Sequence, residues 1–140
     1  MEKSLKPDIH KAGGILIRDR RLLVERSRGK EFFIAPGGSI EPGETPEQAL
    51  VRELAEEFSV VVRTENLRFF GTFLADAAGQ VGKMLQMDVY LVDVWEGEPT
   101  PSSEVEVLQW IASTDVASIP VGSIFAHEVI PRLVEANLID

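Results

Sequence analysis

The sequence predicts an α+β or three-layer domain of 140 residues. Three observations support that reading. Apolar and alternating runs typical of strands recur along most of the chain. A segment beginning at Thr45 carries a full set of helix-start signals. The end of the chain spaces its apolar residues at helical intervals.

The elements follow in order. Ala12 to Ile17 reads as a buried strand, with Gly13 and Gly14 permitting a close contact. Asp19-Arg20-Arg21 reads as a tight turn, and Leu22 to Arg26 as the returning strand of a hairpin. Ser27 to Glu31 is a polar loop, and Phe32 to Ala35 a short strand stopped by Pro36-Gly37-Gly38. Thr45 caps the next helix, Pro46 suits its first position, and Gln48 completes a capping box. That helix should run to about Phe58. Strands are expected near Leu67 to Leu74 and Met84 to Trp95, joined by a glycine-containing loop at Asp76 to Lys83. Pro99 and Pro101 mark a further loop before a strand at Val105 to Ile111. About Ser123 to Ala136 reads as an amphipathic helix, with a kink or late start at Pro131.

We read residues 1–8 as an N-terminal tail and 9–140 as one domain. An apolar content of 44% is enough for a core and argues against a disordered chain. No apolar run approaches the roughly 20 residues that a membrane span needs. Met1 to Asp8 lacks an apolar signal core, so no secretion signal is expected. The absence of cysteine excludes disulfides, thiolate metal sites and a cysteine nucleophile, and it suits a cytoplasmic protein. A net charge of −9 argues against a stable nucleic-acid complex held through a broad basic surface. An acidic protein acting on phosphates needs divalent cations between its carboxylates and the substrate oxygens. Acidity that serves solubility alone is the plainer explanation of the charge by itself.

On the Thr45 helix, Leu50, Val51, Leu54 and Phe58 share one broad face. Glu53, Glu56 and Glu57 fall within an arc of about 100° on another. Like charges so close cost a few tenths of a kcal/mol per pair even when exposed, and Arg52 offsets only part of this. Such a cluster suits magnesium, which takes oxygen ligands. Three glutamates alone also fit a solvated helix face.

Their context is more specific. Gly38 is followed after five residues by Glu44, and after seven more by Arg52-Glu53-Leu54-Ala55-Glu56-Glu57-Phe58-Ser59-Val60. This resembles the signature of the Nudix hydrolase family at every specified position but one, Ser59, where the family has glycine. Ala35-Pro36-Gly37-Gly38 ahead of it is also similar to the family, and the order of elements extends the likeness along nearly the whole chain. The resemblance implies a Nudix-type α/β/α sandwich with a mixed, curved β-sheet and two main helices. It implies Mg2+-dependent hydrolysis of a diphosphate linkage in a nucleoside diphosphate-linked compound, with Mn2+ as the alternative cation. Within the family the chain looks MutT-like, which points to a nucleoside triphosphate as substrate.

Carried over by position, the resemblance makes Glu53, Glu56 and Glu57 metal ligands, with the backbone carbonyl of Gly37 or Gly38 as another. It gives Arg52 the task of orienting the glutamates, and Glu44 that of holding Arg52 and shaping the loop. Trp95-Glu96-Gly97-Glu98-Pro99 resembles the segment after a central strand in MutT-like proteins, so Glu98 is favoured to complete the site, with Glu104 as its competitor. Arg26 corresponds to an arginine that touches the nucleotide in MutT-like proteins. Phe33 is the candidate for stacking on a base, with Phe32 as the other choice. His10 and His127 lack a paired metal-ligand spacing, and Trp95 and Trp110 read as core or rim residues. Ser59 is expected in a left-handed conformation just past the helix. The expected partner is a small nucleotide, without a membrane, and a homodimer is compatible with the sequence. Sugar-nucleotide or ADP-ribose cleavage, and a non-catalytic nucleotide sensor, are the alternatives. The retained glutamates speak against the sensor, which has no need of carboxylates that cost stability.

Overall fold

A computed structural model describes residues 7–76 and 82–140. The expected N-terminal tail and the Asp76–Lys83 loop fall mainly outside these. Among the described residues, seven strands form two sheets. They are β1 (Ile9–Ile15), β2 (Ile17–Arg18), β3 (Arg21–Ser27), β4 (Gly37–Ser39), β5 (Leu67–Asp76), β6 (Met84–Val92) and β7 (Val105–Ile111). One sheet has the order β4-β1-β6-β5 and the other β2-β3-β7. The β1–β6 pair is parallel and every other pair antiparallel, so the β structure is mixed.

Two helices cover the sheets. The first, α1 (Pro46–Phe58), buries Ala49, Leu50, Leu54 and Phe58 against Ala12, Leu16, Leu23, Tyr90 and Val92. The last helix buries Ile124, Phe125, Val129, Ile130 and Leu133 against Ile15, Leu22, Val24, Phe73, Met87 and Val89. Strands of both sheets contribute to both clusters, giving helix, strand and helix layers. This matches the expected sandwich.

The tight turn is found at Asp19 and Arg20, whose φ values of 51° and 62° are those of a two-residue hairpin loop. The last helix, residues 123–135, contains a π-helical turn at Phe125–Val129 followed by α2 (Ile130–Glu135). Pro131 has no N–H to donate one turn back, so the helix widens there and Ile130 bonds to the Phe125 carbonyl.

Besides shifts of up to three residues at the ends of β1, β3 and β5, three departures from expectation stand out. The first strand breaks at Leu16, which is fully buried, and the short β2 resumes after it. Phe32 to Ala35 makes isolated bridges, Glu25 to Ile34 and Phe33 to Val121, instead of a strand. The strand lies two residues later, at β4, where a turn was expected. Gly37 and Gly38 pair there with Gly13 and Ala12. A side chain at Gly37, with φ 147°, would strike the Ala12 carbonyl, so only glycine allows this close pairing. The third difference is at β6, which ends at Val92, short of Trp95.

Candidate active site

The site is built on α1, and local chemistry sets both ends of that helix. Thr45 Oγ1 accepts the Gln48 amide at 3.1 Å, and Gln48 Oε1 accepts the Thr45 amide at 3.0 Å. The helix ends at Ser59, which is left-handed with φ 58° and ψ 31°. The amides of Ser59 and Val60 both return to the Leu54 carbonyl. Two further terminal carbonyls are satisfied from the proline-containing loop: Thr100 N–H donates to Phe58 and Ser102 N–H to Glu57.

Arg52 is the hub. Its Nε and Nη2 grip the two oxygens of Glu44 at 2.8 and 3.0 Å, a two-pronged pair. Its Nη1 donates to Glu53 at 2.9 Å and to Glu56 at 3.4 Å, and its Nη2 to the Ser39 carbonyl at 3.1 Å. Glu44 also accepts the Glu41 amide at 2.9 Å. The Arg52 guanidinium, then this amide, hold the Glu44 carboxyl below the usual carboxylate range. The same pairing raises the pKa of Arg52. Through Arg52, the loop 39–44 and the glutamate face of α1 form one hydrogen-bonded unit.

Glu53 is drawn inward. Gly38 lies against its carboxyl group so closely that a Cβ there would collide with it. Burial pushes the Glu53 carboxyl upward, and Glu57 and Glu56 add to that push against the opposing Arg52. Glu56 is more exposed, and Glu57 accepts the Ser102 hydroxyl at 2.7 Å. With these partners, no three carboxylate or imidazole groups converge on a common point among the described residues. The donor set is nevertheless all oxygen, on successive turns of one helix and beside a backbone loop, which is the chemistry that a hard divalent cation takes.

The remaining candidates lie elsewhere. Glu98 Oε2 pairs with Arg18 at 2.9 Å, and Arg18 in turn lies over the Trp110 ring, which stacks with Trp95. Glu104 is exposed, and its carbonyl accepts the Arg28 amide. Arg26 pairs with Glu106 at 2.8 Å and covers the ring of Phe33, which is only 8% exposed.

Three features were missed from the sequence. Ser102 holds Glu57, and nothing in a proline-rich loop marks that serine. Glu25 is 5% exposed on β3, where burial first of all pushes its carboxyl up to about 7. A glutamate between the apolar run Leu22–Val24 and Arg26 was the available signal for it. The third is a half-open cleft between β5–β6 and the start of the last helix, lined by Ile34, Ala35, Asp76, Leu85, Met87 and Phe125. Ile34 and Ala35 lead through Pro36 into β4, whose Gly38 lies against the Glu53 carboxyl.

Comparisons with known proteins identify the family. The family model described as the NUDIX domain matches residues 8–133. The 8-oxo-dGTP diphosphatase of Haemophilus influenzae is 36% identical over 99 residues, 67% of this chain and 69% of that protein. The ADP-ribose pyrophosphatase of Methanocaldococcus jannaschii is 32% identical over 88 residues, 61% of this chain and 50% of that protein. The chain spans about two thirds or less of the length of such curated relatives. Among solved structures, the MutT Nudix hydrolase of Burkholderia pseudomallei superposes with a TM-score of 0.68 at 26% identity, covering 91% of this chain and 95% of that one. Fold, signature and comparisons together place the chain in the Nudix hydrolase family, among its MutT-like members.

Proposed function

We propose that this chain hydrolyses a diphosphate linkage in a nucleoside diphosphate-linked compound, with a nucleoside triphosphate as the first-choice substrate and Mg2+, or Mn2+ in its place, as the cation. The observation that carries the proposal is the Arg52 unit, which holds Glu44, Glu53 and Glu56 together beside Gly38. Glu53, Glu56, Glu57 and the Gly37 or Gly38 carbonyl would hold the ion. Bound there, the cation offsets charge on the phosphoryl oxygens and makes a bound water more acidic.

The chain's own residues do the rest. Arg52 keeps Glu53 and Glu56 pointed to one side of α1 and prevents their mutual repulsion from splaying them. Glu57 joins them by exchanging its Ser102 partner, a side-chain rotation on a fixed backbone. Glu98 joins by leaving Arg18. The apolar cleft takes the base, with Asp76 as an acceptor for base N–H groups. Arg26 reaches toward the phosphates from β3, with its guanidinium over the ring of Phe33. Water attacks one phosphorus and the bridging P–O bond breaks. A triphosphate thus yields a nucleoside monophosphate and pyrophosphate. We place the protein in the cytoplasm, in keeping with its lack of cysteine.

The relation to an ADP-ribose pyrophosphatase favours a second reading, in which the leaving group is a sugar phosphate. A panel of nucleoside triphosphates, sugar nucleotides and ADP-ribose, assayed with Mg2+ and with both products identified, decides between them. Pyrophosphate and a monophosphate from a triphosphate support the proposal. Turnover of ADP-ribose alone selects the second reading. No metal-dependent turnover of any member refutes both.

A further inference from the structure

Glu25 is a buried carboxylate that the Nudix signature does not account for. Leu23, two residues before it on β3, packs in the α1 cluster, whereas Leu22 and Val24 pack in the other. By alternation Glu25 shares the α1 side of the strand. Its cross-strand partner Leu108 packs against the same α1 cluster. Its backbone N–H and C=O are both bonded to Ile34, at 2.9 and 2.7 Å. This joins β3 to the segment that runs into Pro36, Gly37 and Gly38. The Glu25 carboxylate is therefore brought to the glutamate site from the sheet side, close enough that the charges of Glu57 and Glu53 both act on it.

Little there compensates the charge. Ser27 Oγ donates to Glu25 Oε1 at 3.1 Å, and Lys11 supplies a positive charge. Against these stand burial and two glutamates of the same sign. Removing a carboxylate from water without a strong partner is costly, and a divalent cation is the partner that would relieve all three groups together. We infer that Glu25 is a further carboxylate of the cation site, presented from β3 opposite Glu53 and Glu57. The inference rests on the cation reading of that site. It adds a ligand group that lies outside the signature helix.

The test uses Mn2+ as the probe, with the metal-free full chain titrated and free Mn2+ read by electron paramagnetic resonance. Wild type, Glu25→Gln and Glu57→Gln are compared. Glutamine keeps the acceptor for Ser27 and removes the charge. Expected is a loss of Mn2+ affinity of about tenfold or more in Glu25→Gln, with a metal-free unfolding temperature no lower than that of wild type. Wild-type affinity in Glu25→Gln, alongside a loss in Glu57→Gln, overturns the role of Glu25 and leaves the cation reading standing. No Mn2+ uptake by wild type overturns both. Should Glu25→Gln fail to fold, Glu25→Asp keeps the charge and withdraws it by one methylene. Weakened Mn2+ binding in that variant supports the inference, and unchanged binding refutes it.

Discussion

Replacing Ser59 by glycine should stabilise the protein, and the size of the gain follows from the helix end. Ser59 has φ 58° and ψ 31°, a left-handed conformation that an L side chain tolerates poorly. The conformational cost is about 1–2 kcal/mol for a residue with a Cβ and near zero for glycine. Against this, glycine loosens the unfolded chain and costs about 0.4–1 kcal/mol. Ser59 is exposed, so its hydroxyl adds little to either side. The bonds that use its backbone, from its own amide and from Val60 to the Leu54 carbonyl, are unchanged by the substitution. The balance is about 0.5–1 kcal/mol in favour of Ser59→Gly. For 140 residues the unfolding entropy is about 0.3 kcal/mol per degree, so the midpoint should rise by about 2–3 °C. Differential scanning calorimetry of the metal-free proteins measures this. An unchanged or lower midpoint would refute the strain argument and would mean that Ser59 gains more from its local contacts than its conformation costs. Mn2+ affinity should not change, because the Ser59 side chain is exposed and its amide bonds to the Leu54 carbonyl.

Glu57→Gln should lower turnover by about a hundredfold or more, the scale of losing a key charged interaction with the reacting centre. Full activity in that variant, or in excess chelator, would remove Glu57 from the site. Glu98→Gln should reduce turnover by at least about tenfold and Glu104→Gln by less. Steady-state rates for the two variants, each checked for folding, test this, and the reverse order would make Glu104 the completing group. Glu25 makes stability depend on pH. Its folded pKa of about 7 lies above the ordinary 4.5. Its contribution is therefore fully present below pH 4.5 and is lost as pH rises through 7. The loss amounts to about 3 kcal/mol in the metal-free protein. The stability difference between wild type and Glu25→Gln, read from urea midpoints across that range, should shift in favour of the variant as pH rises. A difference that stays constant with pH would show that Glu25 is solvated like any surface carboxylate.

Much of the α1 region was legible because its determinants are local. Thr45, Pro46 and Gln48 sit within one turn, and their capping bonds form between neighbours in sequence. Helical geometry alone puts Glu53, Glu56 and Glu57 on one side, and the spacing from Gly38 to Val60 identified the family before any contact was known. The family resemblance set Glu44 against Arg52, and the two form a two-pronged pair. Pattern gave less where a segment's structure depends on a distant partner. Gly37 and Gly38 read as a turn, and they form a strand because β1 passes close enough for only glycine to fit. Phe32 to Ala35 read as a strand, yet its hydrogen bonds are divided between Glu25 on one side and Pro120 and Gly122 on the other. Ser102 meets Glu57 across 45 residues of chain, and Arg18 meets Glu98 across 80. No periodicity encodes such meetings. They arise when two sheets and two helices pack around shared cores, and the same packing turned Glu25 from an ordinary strand residue into a buried charge beside the glutamates. The sequence by itself determined the chemistry that α1 can carry. The tertiary structure decided which groups from the rest of the chain surround it.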